Sequence, residues 1–149
     1  MKYLLILAAA LLAALFGLSR LSARPPDRLG PVDGRLMDCP DADNCVSSEA
    51  GNPDRRVAPL AASGPVDEAM ARLAEVVGSM EGGKVAEVRG NYLHAVFTSR
   101  LWRFRDDLEC LYDRGTGRVE VRSASRVGYS DFGVNRKRVE RLREMLNGR

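Results

Sequence analysis

The chain opens on an unbroken apolar run. From Tyr3 to Leu18 no charged residue intervenes, with Met1-Lys2 before it and Ser19-Arg20 after it. Sixteen residues in a helix reach about 24 Å, slightly short of a ~30 Å hydrocarbon core. The run is also slightly long for the apolar region of a signal peptide. It predicts an N-terminal hydrophobic helix, read here as a signal anchor over residues 1–19. A signal peptide cut after Ser19, with Gly17 and Ser19 as the small residues, is the alternative. The flanking charges leave orientation open, because Lys2 and the amino terminus oppose Arg20, Arg24 and Arg28. Residues 20–34 are rich in Arg, Pro and Gly and read as an extended linker. Arg35–Leu60 shows neither helical nor strand period and reads as an ordered loop laid over a domain spanning 35–149.

Periodicity appears after that. Val66, Ala69, Met70, Leu73 and Val77 fall on one helical face, Pro65 suits the first helical position after Ser63-Gly64, and Glu81-Gly82-Gly83 ends the helix. Lys84–Val88 and Tyr92–Thr98 flank the turn pair Gly90-Asn91. Leu93, Ala95 and Phe97 share one face of the second strand, and Tyr92, His94, Val96 and Thr98 the other. Asp107–Asp113 and Arg118–Ser125 flank Arg114-Gly115-Thr116-Gly117 as a second hairpin. A last helix follows Ser130 or Asp131 as N-cap, with Val134, Val139, Leu142 and Met145/Leu146 as its buried stripe. The expected fold is α+β, in the order α-β-β-β-β-α. A four-stranded antiparallel sheet of two hairpins carries two amphipathic helices on one face, preceded by the hydrophobic helix and the long loop.

Composition narrows the function classes. One histidine, His94, and three cysteines, Cys39, Cys45 and Cys110, exclude multi-histidine metal sites and dense disulfide scaffolds. The net charge of +3 hides an asymmetry: residues 100–149 carry 13 Lys and Arg against 8 Asp and Glu. A basic C-terminal half can attract phosphate or anionic lipid. The arginines are scattered, however, and no recognition motif supports nucleic-acid binding.

Cys39 and Cys45 lie across a Pro-containing loop, and a small-loop disulfide suits an exported domain. A zinc set of Cys39, Cys45, Cys110 and His94 is disfavoured by the spacing between the first two. Asp41-Ala42-Asp43-Asn44-Cys45 begins like a calcium loop but places a cysteine where an oxygen is required. No metal or cofactor is expected. Cys110 falls in a strand pattern as a buried thiol. His94 is a weak candidate for a general base, with Asp106, Asp107 or Glu109 as its acid partner and Ser123 or Ser125 as nucleophile, although no nucleophile-elbow sequence exists. The densest polar run is Arg122–Arg138, where a strand ends, the chain turns at Gly128 and a helix begins. Arg122 and Arg126 share a strand face near a helix N-terminus and could present guanidinium forks to an anion. The competing reading is a structural network at this corner, with Asp131 satisfying the helix end and pairing with Arg126. The candidate ligand set is Tyr92, His94, Arg122, Ser123, Ser125, Arg126 and Asn135.

These motifs carry a resemblance. Cys39-Pro40-Asp41, Asn44-Cys45-Val46-Ser47-Ser48, Ala58-Pro59-Leu60, Asn91-Tyr92-Leu93-His94-Ala95, Asp106-Asp107-x-Glu109 and the run Arg122–Arg138 resemble domain-of-unknown-function family 1499. That uncharacterised family is found mainly in bacteria, with relatives in photosynthetic eukaryotes. The likeness extends from about Val32 to Arg143. The resemblance implies no established activity, but its members often look membrane-tethered or exported. Two positions depart from it: Arg55 stands where relatives often carry histidine, and Arg105 where a less polar residue is common. Together with the apolar head, this makes the chain an expected single-pass protein of a bacterial inner membrane, its soluble domain in the periplasm. There it would act as a non-catalytic envelope module binding an anionic ligand or a protein partner. The alternatives are a hydrolase-like enzyme using His94 and a purely structural envelope component.

Overall fold

The computed structural model describes residues 1–62 and 64–148; Ser63, which precedes the first amphipathic helix, lies outside the described residues. Helix α1 (Lys2–Ser22) is long and apolar enough to cross a membrane, and its side chains are exposed almost throughout. By length and composition it is a membrane anchor or a signal sequence.

Two amphipathic helices form as the spacing predicts. α2 (Val66–Ser79) follows Pro65, carries Asp67 and Glu68 in its first turn where the helix dipole favours them, and buries Ala69, Met70, Leu73, Val76 and Val77. α3 (Val134–Asn147) buries Asn135, Val139 and Leu142. Its N-cap is Gly133 (φ 78°), not the expected Ser130 or Asp131, because the chain enters the helix through a left-handed residue; Asp131 reaches in from two residues earlier, accepting from Gly133 N on Oδ1 at 2.8 Å and from Asn135 N on Oδ2 at 2.7 Å.

The sheet is larger than expected. Besides β3 (Gly83–Arg89), β4 (Tyr92–Thr98), β5 (Arg105–Asp113) and β6 (Arg118–Ser125), the segment read as a periodless loop supplies β1 (Cys45–Ser47) and β2 (Leu60–Ala61), with a 3-10 turn at Pro53–Arg55 between them. The four-stranded, two-helix expectation is thereby corrected to six strands and three helices. The reason is that β1 and β2 are too short to show a period; both satisfy their backbone groups on the outer edge of β6, pairing Val46 with Ser123 and Leu60 with Val119. The order is β1-β6-β5-β4-β3, antiparallel throughout, with β2 beside β1 on β6.

Strand alternation splits the sheet into two unlike faces. Leu93, Phe97, Leu108, Cys110, Val119 and Val121 point to α2 and α3 and form one core with Leu73, Val77, Val139 and Leu142. Fully burying each such side chain contributes roughly 1.5–3 kcal/mol. The second face carries Tyr92, His94, Asp107, Glu109 and Arg122. It is covered by residues 22–36, so the stretch read as a linker is laid across the sheet: Leu36 packs with Tyr92 and Leu111, and Gly30 N donates to Glu109.

The α2–β3 connection is tight. At Gly82 (φ 76°) a Cβ would meet Thr98 O at 2.5 Å, whereas Gly90 (φ 58°) has open space around it. Gly82→Ala is expected to cost roughly 2–5 kcal/mol in unfolding measurements, from left-handed strain plus a backbone clash, and Gly90→Ala about 1–2 kcal/mol from strain alone.

Candidate functional site

The polar residues singled out from sequence fall into two groups separated by the sheet. On the covered face, β5 alternation aims Asp107 and Glu109 the same way, and register places Glu109 between His94 on β4 and Arg122 on β6. Asp107 (2% exposed) accepts both teeth of the Arg126 fork, Nε to Oδ2 at 2.8 Å and Nη2 to Oδ1 at 2.7 Å. His94 Nε2 lies 2.8 Å from the same Oδ1. Glu109 (0% exposed) accepts from Tyr92 OH at 2.9 Å and Gly30 N at 2.7 Å on Oε1, and from Arg122 Nη1 at 2.9 Å on Oε2. Arg126 pairs with Asp107, and the expected Arg126–Asp131 pair is corrected: Asp131 accepts from backbone N–H groups at the start of α3 instead.

Electrostatics follow from these contacts. Desolvation pushes the Asp107 carboxyl up, but the hydrogen bonds and charge of Arg126 and His94 outweigh it and hold the group below its ordinary value. Burial, with the Glu109 carboxylate beside it, pushes the Tyr92 phenol far up, so it remains a donor. Arg126 also reaches the carbonyls of Ser22 and Arg24, and Arg105 Nη1 that of Ala23 at 2.9 Å. Arg105 thus ties the end of α1 to the sheet. Arg55 holds the Cys39–Cys45 loop through Pro40 O at 2.8 Å and Asp41 Oδ1 at 2.9 Å.

Ser123, Ser125 and Asn135 lie on the opposite, helix-bearing face. Buried Asn135 takes a hydrogen bond from Ser123 Oγ at 2.6 Å and donates to Ser125 Oγ at 3.0 Å and Asn44 O at 2.9 Å. Arg138, one turn along α3, joins Asn135 and Ser123 and pairs with Asp106 Oδ2 at 2.5 Å. Asp106 is therefore across the sheet from His94, while Asp107 is beside it. The corner is completed by Asn44, whose Nδ2 donates to Gly128 O, next to the Cys39–Cys45 disulfide. Asn44 and Arg138 were not singled out from sequence. Arg138 was findable, since it lies three residues from Asn135 on the same helical face; Asn44 acts largely through its backbone carbonyl, which leaves no signal. Cys110 is a buried free thiol in the apolar core, its pKa pushed up by burial.

Among the described residues no group of three or more His, Cys, Asp or Glu side chains could hold a metal ion. The ample open space lies elsewhere. A groove of about 570 Å³ runs between the end of α2, the ends of β4 and β5, and α3. Met80, Phe97 and Met145 give it an apolar floor, with three cations, Arg100, Lys137 and Arg141, and one acid, Glu81, around its rim; Arg138 stacks on the Phe97 ring at 4.5 Å.

Residues 35–146 match the model of a family described as a protein of unknown function, DUF1499. The chain belongs to the DUF1499 family. No curated protein and no solved structure matches it. The DUF1499 match takes in all six strands, α2 and nearly all of α3, and leaves out α1 and the stretch from Ser22 to Gly34. Both halves of each buried ion pair are thus inside the DUF1499 region, while much of the cover over them is outside it.

Removing one member of a buried pair costs about 3–5 kcal/mol, because the other charge is left in the interior. Arg126→Ala is expected to lower the melting temperature by roughly 10 °C or more. The acid side follows from Asp107. Its folded-state pKa is lowered, so the unfolded chain binds the proton first; the stabilisation is complete above the ordinary value of 3.8 and is lost as pH falls through the lower folded value. Asp107→Asn should flatten that acid limb in a pH series of melting curves.

Proposed function

We propose that the chain is a membrane-anchored, non-catalytic module of the bacterial envelope that binds an anionic ligand in the groove beneath α3. The observation that carries this reading is the contrast between two sets of cations. Arg122 and Arg126 are occupied by buried carboxylates. Arg100 and Lys137, on the groove rim, have no ion-pair partner among the described residues. An apolar floor under a cationic rim suits an anion carrying a short apolar tail. Helix α1 supports anchoring, and the Cys39–Cys45 disulfide supports placing the body in an oxidising compartment such as the periplasm.

The enzyme reading retains one observation, the 2.8 Å contact of His94 with Asp107, which has the geometry of a base and its orienting acid. Against it, Arg126 already holds both oxygens of Asp107, and among the described residues no hydroxyl or thiol is hydrogen-bonded to His94. Binding without turnover is the better-supported reading.

Calorimetric titration of the full chain, held in nanodiscs of zwitterionic lipid, tests the groove with hexyl phosphate against inorganic phosphate. Hexyl phosphate is expected to give saturable heat and to bind more tightly, each buried methylene contributing at most about 0.8 kcal/mol. The double variant Arg100→Glu, Lys137→Glu should weaken it at least about tenfold, which is ~1.4 kcal/mol, with the melting temperature nearly unchanged. Absence of saturable heat from the unaltered chain would remove the reading.

A further inference from the structure

Outside α1 the large exposed apolar side chains are few, and they are not scattered. Val32, Val88, Leu101, Trp102, Tyr129, Phe132 and Val134 make up the set among the described residues. Five of these seven lie on two connections, β4–β5 and the stretch from β6 into α3. The two connections are neighbours in space, because Thr98 pairs with Arg105 and Asp106 with Ser125. One end of the sheet therefore presents Leu101 (75% exposed), Trp102 (39%) and Phe132 (90%) to the surroundings. The opposite end, with the turns at 90–91 and 114–117, has only the smaller Val88 and Val32 exposed and no exposed aromatic ring among the described residues.

The same end receives α1. Arg105 and Arg126 hold the carbonyls of Ala23, Ser22 and Arg24 there. The β4–β5 loop then runs alongside the helix: Leu12, Leu15 and Phe16 line one side of a cavity of about 580 Å³, and Leu101, Trp102 and Arg103 the other. From Leu12 to Ala23 the helix rises about 16 Å. The loop thus flanks the second half of the apolar run, the half nearest the domain. A bilayer that takes in α1 meets this loop.

Local structure holds these side chains outward. Ser99 N donates to Phe104 O at 2.8 Å, Phe104 N to Ser99 Oγ at 2.9 Å and Arg103 N to Ser99 O at 3.2 Å, which closes the loop with Leu101 and Trp102 at its tip. Arg103 (φ 58°) and Phe132 (φ 54°) sit in the left-handed region, uncommon for bulky residues. The loop reads Ser99-Arg100-Leu101-Trp102-Arg103-Phe104-Arg105, cations alternating with apolar residues and no acid among them. Arg20 and Arg24 add positive charge at the base of α1. Tryptophan favours the boundary between headgroups and acyl chains, and arginine the phosphates of anionic lipid.

We propose that this end of the domain docks on the membrane in which α1 is inserted, with Leu101, Trp102 and Phe132 entering the interfacial layer and Arg103 and Arg20 on lipid phosphates. The inference rests on the anchoring read from α1 and adds a second, orienting contact: the sheet stands on the bilayer, with the groove beneath α3 opening near the surface.

Trp102 is the only tryptophan of the chain and reports the contact without any mutation. The full chain is reconstituted in vesicles of phosphatidylcholine and phosphatidylglycerol. Flotation of the vesicles reads the anchor. Quenching of Trp102 by lipids brominated high on the acyl chain, against quenching by aqueous acrylamide, reads the dock. The expected result is co-flotation, blue-shifted emission and loss of at least half the emission to bromolipid. Arg103→Glu with Arg20→Glu should reverse that preference while flotation persists. Co-flotation with Trp102 open to acrylamide and untouched by bromolipid overturns the dock and leaves the anchor. Protection from both quenchers with cross-linking between copies through a cysteine placed at Leu101 overturns it in favour of a self-association surface. Loss of flotation overturns both.

Discussion

Two acidic side chains closed off from water stand at the middle of the sheet, and the domain is arranged around giving each of them partners. Moving a carboxylate into the interior costs several kcal/mol unless charge and hydrogen bonds replace its hydration. Asp107 obtains both from the Arg126 fork and His94; Glu109 obtains them from Arg122, Tyr92 and the backbone N–H of Gly30. These contacts require β4, β5 and β6 in one register, since a slip of one residue would turn both acids into the apolar core. They also require a cover. The stretch from Ser22 to Leu36 supplies it, and in doing so loses the freedom of a spacer.

That cover transmits a constraint to the rest of the chain. Arg126 grips Asp107 with one part of its guanidinium and the end of α1 with another, while Arg105 on β5 holds the next carbonyl. The apolar helix consequently leaves the domain at a defined place, beside the β4–β5 loop and its exposed Trp102. A charge pair buried in the sheet thereby bears on where the apolar helix leaves the domain.

The helix-bearing face solves a different problem. Its core is apolar apart from one polar corner, where Asn135 is satisfied by Ser123, Ser125 and Asn44 and where Arg138 reaches Asp106. Asn44 belongs to the disulfide loop, so the bridge between Cys39 and Cys45 steadies the start of α3 as well as β1. With the carboxylates on both faces held by arginines, the groove between α2 and α3 offers open volume beside Arg100 and Lys137, which have no ion-pair partner among the described residues. The proposed binding site is placed there for that reason.

Local periodicity carries far in this chain. Both amphipathic helices, both hairpins, the apolar leader and the division of β4 into an apolar and a polar face follow from residues near one another in sequence, because helix and hairpin hydrogen bonds are local. That Asp131 accepts from backbone N–H groups at the start of α3 follows for the same reason, although the N-cap position itself falls on Gly133. Alternation along β6 even sends Arg122 and Arg126 to one side and Ser123 and Ser125 to the other. Register between distant strands decided the remainder. It chose Asp107 for Arg126, placed Asp106 beyond reach of His94, and paired the three-residue β1 and two-residue β2 with an edge that no period announces. The cover over the buried acids rests on the N–H of Gly30 and the carbonyls of Ser22, Ala23 and Arg24. Nearly every residue owns such groups, so only their position in space could distinguish these four.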